Sequence, residues 1–334
     1  MDFGREGEEN DIAFRSGPRR REDRFIAGPP DRFVPPTRRT PVFTRWLVYH
    51  VASGRSFFSG AACLLAAVGI SPRAREGWTR RTRNLLVAVG GILVVVSATP
   101  LPFAFYPLLP ISTLLWLAGE TRRRRASRRI VLGLRIAVAV AWSVAMLAEW
   151  PFHQRPRVSP LGHPVLGVIG DSVTAGIDGE RVITWPRLLA RDHGVVVRDH
   201  SKAGATVASA LRQAEALRED ERLVMLEIGG NDLLGNTTPT GFESGLENLL
   251  RVVSRPGRFV VMFELPLPPS YNEYGRAQRR VARRHEVLLV PKRVMLGVLL
   301  QDGNTLDTIH LSPGGHCQMA AAVWEIVRGA YVGG

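Results

Sequence analysis

The stretch Val165-Leu166-Gly167-Val168-Ile169-Gly170-Asp171-Ser172-Val173-Thr174-Ala175-Gly176 decides the fold class of this chain. A short, uninterrupted apolar run that stops at a Gly-Asp-Ser turn reads as a strand buried on both faces with a polar tip. Comparable runs follow at 195–198, 222–228, 258–265 and 287–290. Helical patterns lie between them at 184–193, 206–217, 242–254 and 271–285, with a last one opening near Pro313. Strands alternating with helices predict an α/β domain, a three-layer, flavodoxin-like parallel sheet covered on both faces. Active sites of such sheets collect at the carboxyl ends of the strands, so chemistry is expected in the residues just after each strand.

After the first strand stands Ser172, where a tight turn presents a hydroxyl and backbone N–H groups at the mouth of the sheet. Taken alone, Gly-Asp-Ser is also an ordinary turn or N-cap sequence. After the second comes His200-Ser201-Lys202-Ala203-Gly204-Ala205-Thr206, in which Gly204 lets a backbone N–H approach a ligand or simply turns a loop. After the third comes Gly229-Gly230-Asn231-Asp232, where Asn231 can donate its side-chain amide to an oxyanion or close a turn. Near the end, Asp307-Thr308-Ile309-His310 sets a carboxylate three residues before an imidazole, where it can reach Nδ1 and leave Nε2 to take a proton from a serine, or where each residue simply serves the loop. His316 falls inside the last helix, where it reads as a packing residue.

These four segments, in this order, resemble the blocks of the SGNH (GDSL-type) hydrolase family over roughly residues 163–330. The resemblance implies Ser172 as nucleophile, Asp307 and His310 as the rest of a triad, and Gly204 and Asn231 as oxyanion donors beside the Ser172 N–H. It implies acyl transfer through an acyl-enzyme on Ser172, with no cofactor and no metal. No Gly-x-Ser-x-Gly elbow surrounds Ser172, and the acid and base lie close together, which separates this pattern from lipase-type α/β-hydrolases. The loops after the third and fourth strands are expected to line an acyl groove, with Leu233, Leu234 and Leu267 as apolar contacts. The expected substrates are carboxylic esters of lipids, lysophospholipids or acylated glycans. Acyl transfer to or deacetylation of cell-surface glycans, and an inactive binding module, are the alternatives. Lys202, next to Gly204, either favours an anionic substrate or lies in solvent.

The other half of the chain has a different character. The chain has 334 residues and a net charge of +14, and the whole basic surplus falls in residues 1–157, which hold 25 of the 44 Lys and Arg against 11 of the 30 Asp and Glu. Such a charge would suggest nucleic acid, but the arginines bracket apolar runs, as the positive-inside rule predicts for membrane loops, and this excludes nucleic acid as the expected partner. Residues 1–44 mix Arg, Glu, Pro and Gly without periodicity and read as a disordered basic tail. Residues 45–157 read as a membrane region with about three transmembrane helices, near 85–100, 102–119 and 130–150, the first two divided by Pro100, Pro102, Pro107 and Pro110. The run 57–70 is short enough to be a fourth span, a re-entrant piece or an interfacial helix. Arg135 sits near one end of the last span and is expected to snorkel. Clusters at Arg73, Arg75, Arg80, Arg81 and Arg83 and at Arg122–Arg125, Arg128 and Arg129 place both flanks in the cytoplasm. Residues 158–334 then form a hydrolase domain outside the cytoplasm, as in a bacterial inner-membrane protein in contact with lipid. Cys63 and Cys317 stand in unlike surroundings and suggest neither a disulfide nor a metal site.

Overall fold

A computed structural model describes residues 41–74, 77–122, 126–177 and 182–332. The expected tail up to residue 40, Arg75 and Arg123–Arg125 lie outside them. Five helices come first, α1 (Val42–Ala52), α2 (Arg55–Ile70), α3 (Gly77–Val95), α4 (Phe105–Thr121) and α5 (Arg128–Glu149). Val42–Thr44, read as tail, begin α1. Helices α2 to α5 form a bundle around Phe57, Leu64, Leu109, Trp116, Val138 and Trp142. Small residues let α2 and α3 approach closely, for a Cβ on Gly60 would meet the Gly90 carbonyl at 2.7 Å, and one on Gly90 the Gly60 carbonyl at 2.8 Å.

The bundle departs from expectation in its polar residues. Arg135 does not snorkel outward; its Nε meets Glu120 Oε1 across the α4–α5 hairpin at 2.6 Å, and both side chains are largely buried. An ionised pair inside an apolar bundle costs less than a lone charge there, which is why the two turn toward each other. Pro107 sits in the first turn of α4, where its missing N–H costs nothing, and Pro110 is carried inside the helix. Among the described residues one helix, Arg128–His153, is long and apolar enough to cross a membrane, with mean hydropathy 2.2 in its best window. The pair α1 and α2 passes the same test together but bends by 80° between them.

The second part runs β1 (Leu166–Gly170), α6 (Ser172–Ala175), α7 (Trp185–His193), β2 (Val197–Asp199), α8 (Leu211–Glu215), β3 (Leu223–Glu227), α9 (Gly230–Leu234), α10 (Pro239–Val253), β4 (Phe259–Phe263), α11 (Asn272–Arg284), β5 (Leu288–Val290), α12 (Lys292–Leu299) and α13 (Pro313–Val327). All pairings are parallel, in the order β2-β1-β3-β4-β5. Side chains alternate between faces along each strand. Val224 and Leu226 of β3 thus join one core with Leu246, Leu250 and Val281 of α10 and α11. Leu223 and Met225 join the other, with Leu189, Val294 and Val323 of α7, α12 and α13. This is the expected three-layer α/β fold. Each fully buried aliphatic side chain in these layers contributes about 2 kcal/mol.

The helix expected over 206–217 is short. Thr206 N–H donates to Ser209 Oγ at 2.9 Å and Ser209 N–H to Thr206 Oγ1 at 3.3 Å, local bonds that replace the first helical turn.

Residues 41–332 belong to one compact unit, and the bundle meets the sheet through buried charge. Arg279 of α11 donates from Nη1 and Nη2 to Glu149 at 2.7 and 2.8 Å, and from Nε to Glu264 at 2.7 Å. Lys292 donates to the Ala98 carbonyl. Glu264 follows β4 and Lys292 follows β5. The bundle therefore docks on the carboxyl end of the sheet, the end where the site is expected. Its arginines Arg80, Arg81, Arg128 and Arg129 lie near the opposite helix ends, about 22 Å from the Val95 end along α3.

Candidate active site

Ser172 opens α6 immediately after β1 and Asp171, with its hydroxyl in reach of a loop from the far end of the chain. His310 Nε2 lies 3.0 Å from Ser172 Oγ, and His310 Nδ1 lies 2.6 Å from Asp307 Oδ2. The loop that brings them is held by its own backbone. Ser312 N-caps α13 through a bond from Gly315 N–H at 3.1 Å, with Pro313 at the first helical position. Asp307 Oδ1 accepts from the N–H groups of Ile309 at 2.8 Å and His310 at 2.9 Å, an Asx-type turn that sets the carboxylate against the ring. Burial would raise the Asp307 pKa, but the bond from His310 and the two backbone N–H groups outweigh it and hold the carboxylate well below its usual range. An ionised Asp307 fixes the tautomer in which Nε2 faces the serine.

The other predicted residues converge on the same end of the sheet. Gly204 follows β2 with φ +76°, and a Cβ there would meet nothing within 4 Å, so its backbone faces open space. Ser172 N–H belongs to the first turn of a helix, where backbone donors lack intrahelical partners. Asn231 follows β3, and its amide is already engaged, Nδ2 donating to the Ala205 carbonyl at 2.9 Å and to Asp171 Oδ2 at 3.3 Å. The longer of these two bonds is the weaker.

Leu234, the last residue of α9, is 75 % exposed, whereas Leu267 is 5 % exposed and belongs to the core. Leu233 is half-buried against that same core. Of the three expected apolar contacts, only Leu234 is free to meet a ligand. Ile177, Leu306 and Ile309 are exposed apolar residues near Ser172 and His310 in the chain that sequence reading did not single out. Lys202 lies in solvent. His316 is fully buried, its Nδ1 accepting from Trp185 N–H at 3.2 Å, and burial lowers its pKa to about 4.

Sequence reading missed the carboxylate beneath the site. Glu227, the last residue of β3, is buried and accepts from Thr174 Oγ1 at 2.9 Å, while Asp171 N–H donates to the Glu227 carbonyl at 3.2 Å. Burial, and then the neighbouring charge of Asp171, push the Glu227 pKa well up. Asp171 is raised too, chiefly by burial. Burial thus favours a proton on this pair, and Asp171 in turn accepts from the Asn231 amide. The signal was present in the sequence, for a Glu inside the apolar run 223–228 has no structural reason to be there unless it is paired.

The family model for the GDSL-like lipase/acylhydrolase family matches residues 168–317. Esterase TesA of Pseudomonas aeruginosa is 30 % identical over 173 residues, which span 48 % of this chain and 86 % of that protein. An arylesterase of Vibrio mimicus is 29 % identical over 136 residues, 37 % of this chain and 68 % of that one. Among solved structures, that of TesA covers 48 % of this chain and 96 % of its own at 30 % identity, with a TM-score of 0.42. A parallel sheet with a serine, a histidine and a carboxylate at its carboxyl end is the frame of a serine hydrolase, and the family and relatives above make it an ester-hydrolysing one. The chain belongs to the GDSL-like lipase/acylhydrolase family.

Proposed function

We propose that the chain is a membrane-anchored esterase that hydrolyses carboxylic esters of lipids through an acyl-enzyme on Ser172. The observation that carries the mechanism is the linear set Asp307–His310–Ser172, at 2.6 and 3.0 Å. His310 Nε2 takes the hydroxyl proton as Ser172 Oγ attacks the ester carbonyl, and Asp307 stabilises the imidazolium. The oxyanion meets the N–H groups of Ser172 and Gly204 and the amide of Asn231, which gives up its long bond to Asp171. His310 then protonates the departing alkoxide, and water activated by the same imidazole releases the acid.

Membrane anchoring is supported by Arg128–His153 and by the apolar side chains exposed along the bundle, including Ile92, Ile111, Leu114, Ile136 and Leu147. In this reading α2 is part of the membrane bundle, because it packs at its centre. The arginine-rich helix ends face the cytoplasm and the α/β unit lies outside it. A lipid ester is favoured over a glycan because bundle and triad share one end of the sheet, so the mouth at Ser172 faces the bilayer, with Leu234, Ile177 and Ile309 exposed.

The test is the full chain in detergent micelles. A fluorophosphonate probe should label wild type and not Ser172→Ala, and turnover of aryl esters should rise with acyl length. Absence of labelling would end the esterase reading, and activity confined to acetyl esters would replace the lipid by a glycan substrate.

A further inference from the structure

The bundle contains a cavity that the reaction at Ser172 does not use. Helix α2 packs along α3, α4 along α5, and α2 against α5, but α3 and α4 do not pack along each other. A cavity of about 560 Å³ lies among the four helices, in the range of small-molecule sites. Its walls are apolar, with Leu64, Val94, Leu109, Leu117 and Trp142. The Trp142 indole N–H is turned to Thr113 Oγ1 at 3.0 Å, so it makes no demand on an occupant.

Polar lining gathers at one end, at Ser97, Thr99, Tyr106 and Asn272. That end abuts the α/β unit, where Asn272 Nδ2 donates to the Ser97 carbonyl at 3.4 Å and Arg276 donates to the Tyr106 hydroxyl at 2.7 Å. On the α3 and α4 sides, the lining residues Val95 and Leu114 are 79 % and 63 % exposed, so the cavity opens sideways onto the apolar outer surface. An apolar interior with a polar end and a lateral mouth matches an amphiphile. A helix about 10 Å across would fill this volume with little more than one turn, so a partner helix does not fit inside.

We propose that this cavity binds the hydrocarbon chain of a bilayer lipid, which enters between α3 and α4 and leaves its headgroup at the polar end beside Asn272 and Arg276. The site is separate from Ser172. It rests on the reading of the bundle as membrane-embedded.

Gly91 lines the cavity, and a Cβ added there meets nothing within 4 Å, so Gly91→Phe fills the space without displacing backbone. Gly133, exposed on α5 with nothing within 4 Å of its Cβ, gives the matched substitution outside the cavity. The full chain in mild detergent is titrated with a hexadecyl ether phosphocholine, a single-chain probe with no carboxylic ester for Ser172 to cleave, and read by native mass spectrometry. One probe per chain is expected for wild type and Gly133→Phe, with occupancy at least about tenfold lower in Gly91→Phe. Leu117→Trp enters the same cavity from α4 and serves as the second variant if the first does not fold. Equal occupancy in wild type and both filled variants would overturn the proposal, as would a chain dimer that Gly91→Phe abolishes in place of a bound probe. Extraction of the chain from membranes by alkaline carbonate is the separate failure of the membrane reading, and loss of fluorophosphonate labelling that of the esterase reading.

Discussion

Glu149→Gln removes one charge from the buried group that joins bundle and sheet. Two carboxylates, Glu149 and Glu264, face Arg279 and Lys292, all four at most 6 % exposed. The set is neutral, and each Arg279–carboxylate contact is about 2.7 Å. Gln keeps the shape and one hydrogen bond but leaves two cations against one anion, away from water. Breaking a buried pair from one side costs about 3 to 5 kcal/mol. At roughly 2 to 4 °C per kcal/mol, the unfolding temperature should fall by about 6 to 20 °C. The matched control is Glu243→Gln, whose carboxylate meets Arg280 and Arg284 at 2.5 and 3.1 Å with both arginines more than half exposed, and which should cost at most about 1 kcal/mol. Thermal unfolding of the full chain in detergent, followed by near-ultraviolet circular dichroism, measures both. Protease cleavage in the connection 154–158 should accelerate for the first variant alone. Equal shifts for the two variants would refute the argument that buried charge couples bundle to sheet.

Asn231→Ala should lower kcat about 10² to 10³-fold in aryl-ester assays, with a much smaller change in KM, because the amide meets charge that exists only in the transition state. Asp307→Asn should lower kcat by up to about 10⁴-fold while leaving the fold intact, measured alongside circular dichroism. Glu227 has a folded pKa above its unfolded value, so its contribution to stability is complete below about pH 4.5 and is lost as pH rises through the folded value. Urea unfolding between pH 4.5 and 8 should therefore show a negative slope that Glu227→Gln flattens; an unchanged slope would mean the proton is not held there. His316→Asn should destabilise the chain by about 1 to 3 kcal/mol through the lost bond from Trp185 N–H, yet keep fluorophosphonate labelling of Ser172, which separates a packing imidazole from a catalytic one.

The sheet was legible in the sequence because a parallel strand buried on both faces has little choice but an apolar run, and because the residues that follow such strands are confined to one end. Ser172, Gly204 and Asn231 could be picked out for that reason, and Asp307 and His310 by their own spacing; the structure sets His310 between Ser172 and Asp307. The boundaries failed where side chains competed with backbone, as at Thr206 and Ser209, and helix α12 was overlooked because Pro291 separates it from β5 by a single residue. Long-range pairing was not legible. Arg279 and Glu149 are 130 residues apart, and Arg135 has an acidic partner only because α4 folds back along α5. Nor does sequence order say that the Asn231 amide is held by Asp171, or that Leu267 turns inward while Leu234 turns out.

The joint at Glu149 and Arg279 leaves no swinging tether between the last helix and the hydrolase. On the proposed reading, with the bundle seated in a bilayer, Ser172 works at one height above the lipid surface, and its encounters with a lipid ester are those of two-dimensional diffusion. Its turnover would then follow the mole fraction of ester in the membrane rather than the amount in the surrounding solution, and diluting the substrate with inert lipid would slow it where adding buffer would not.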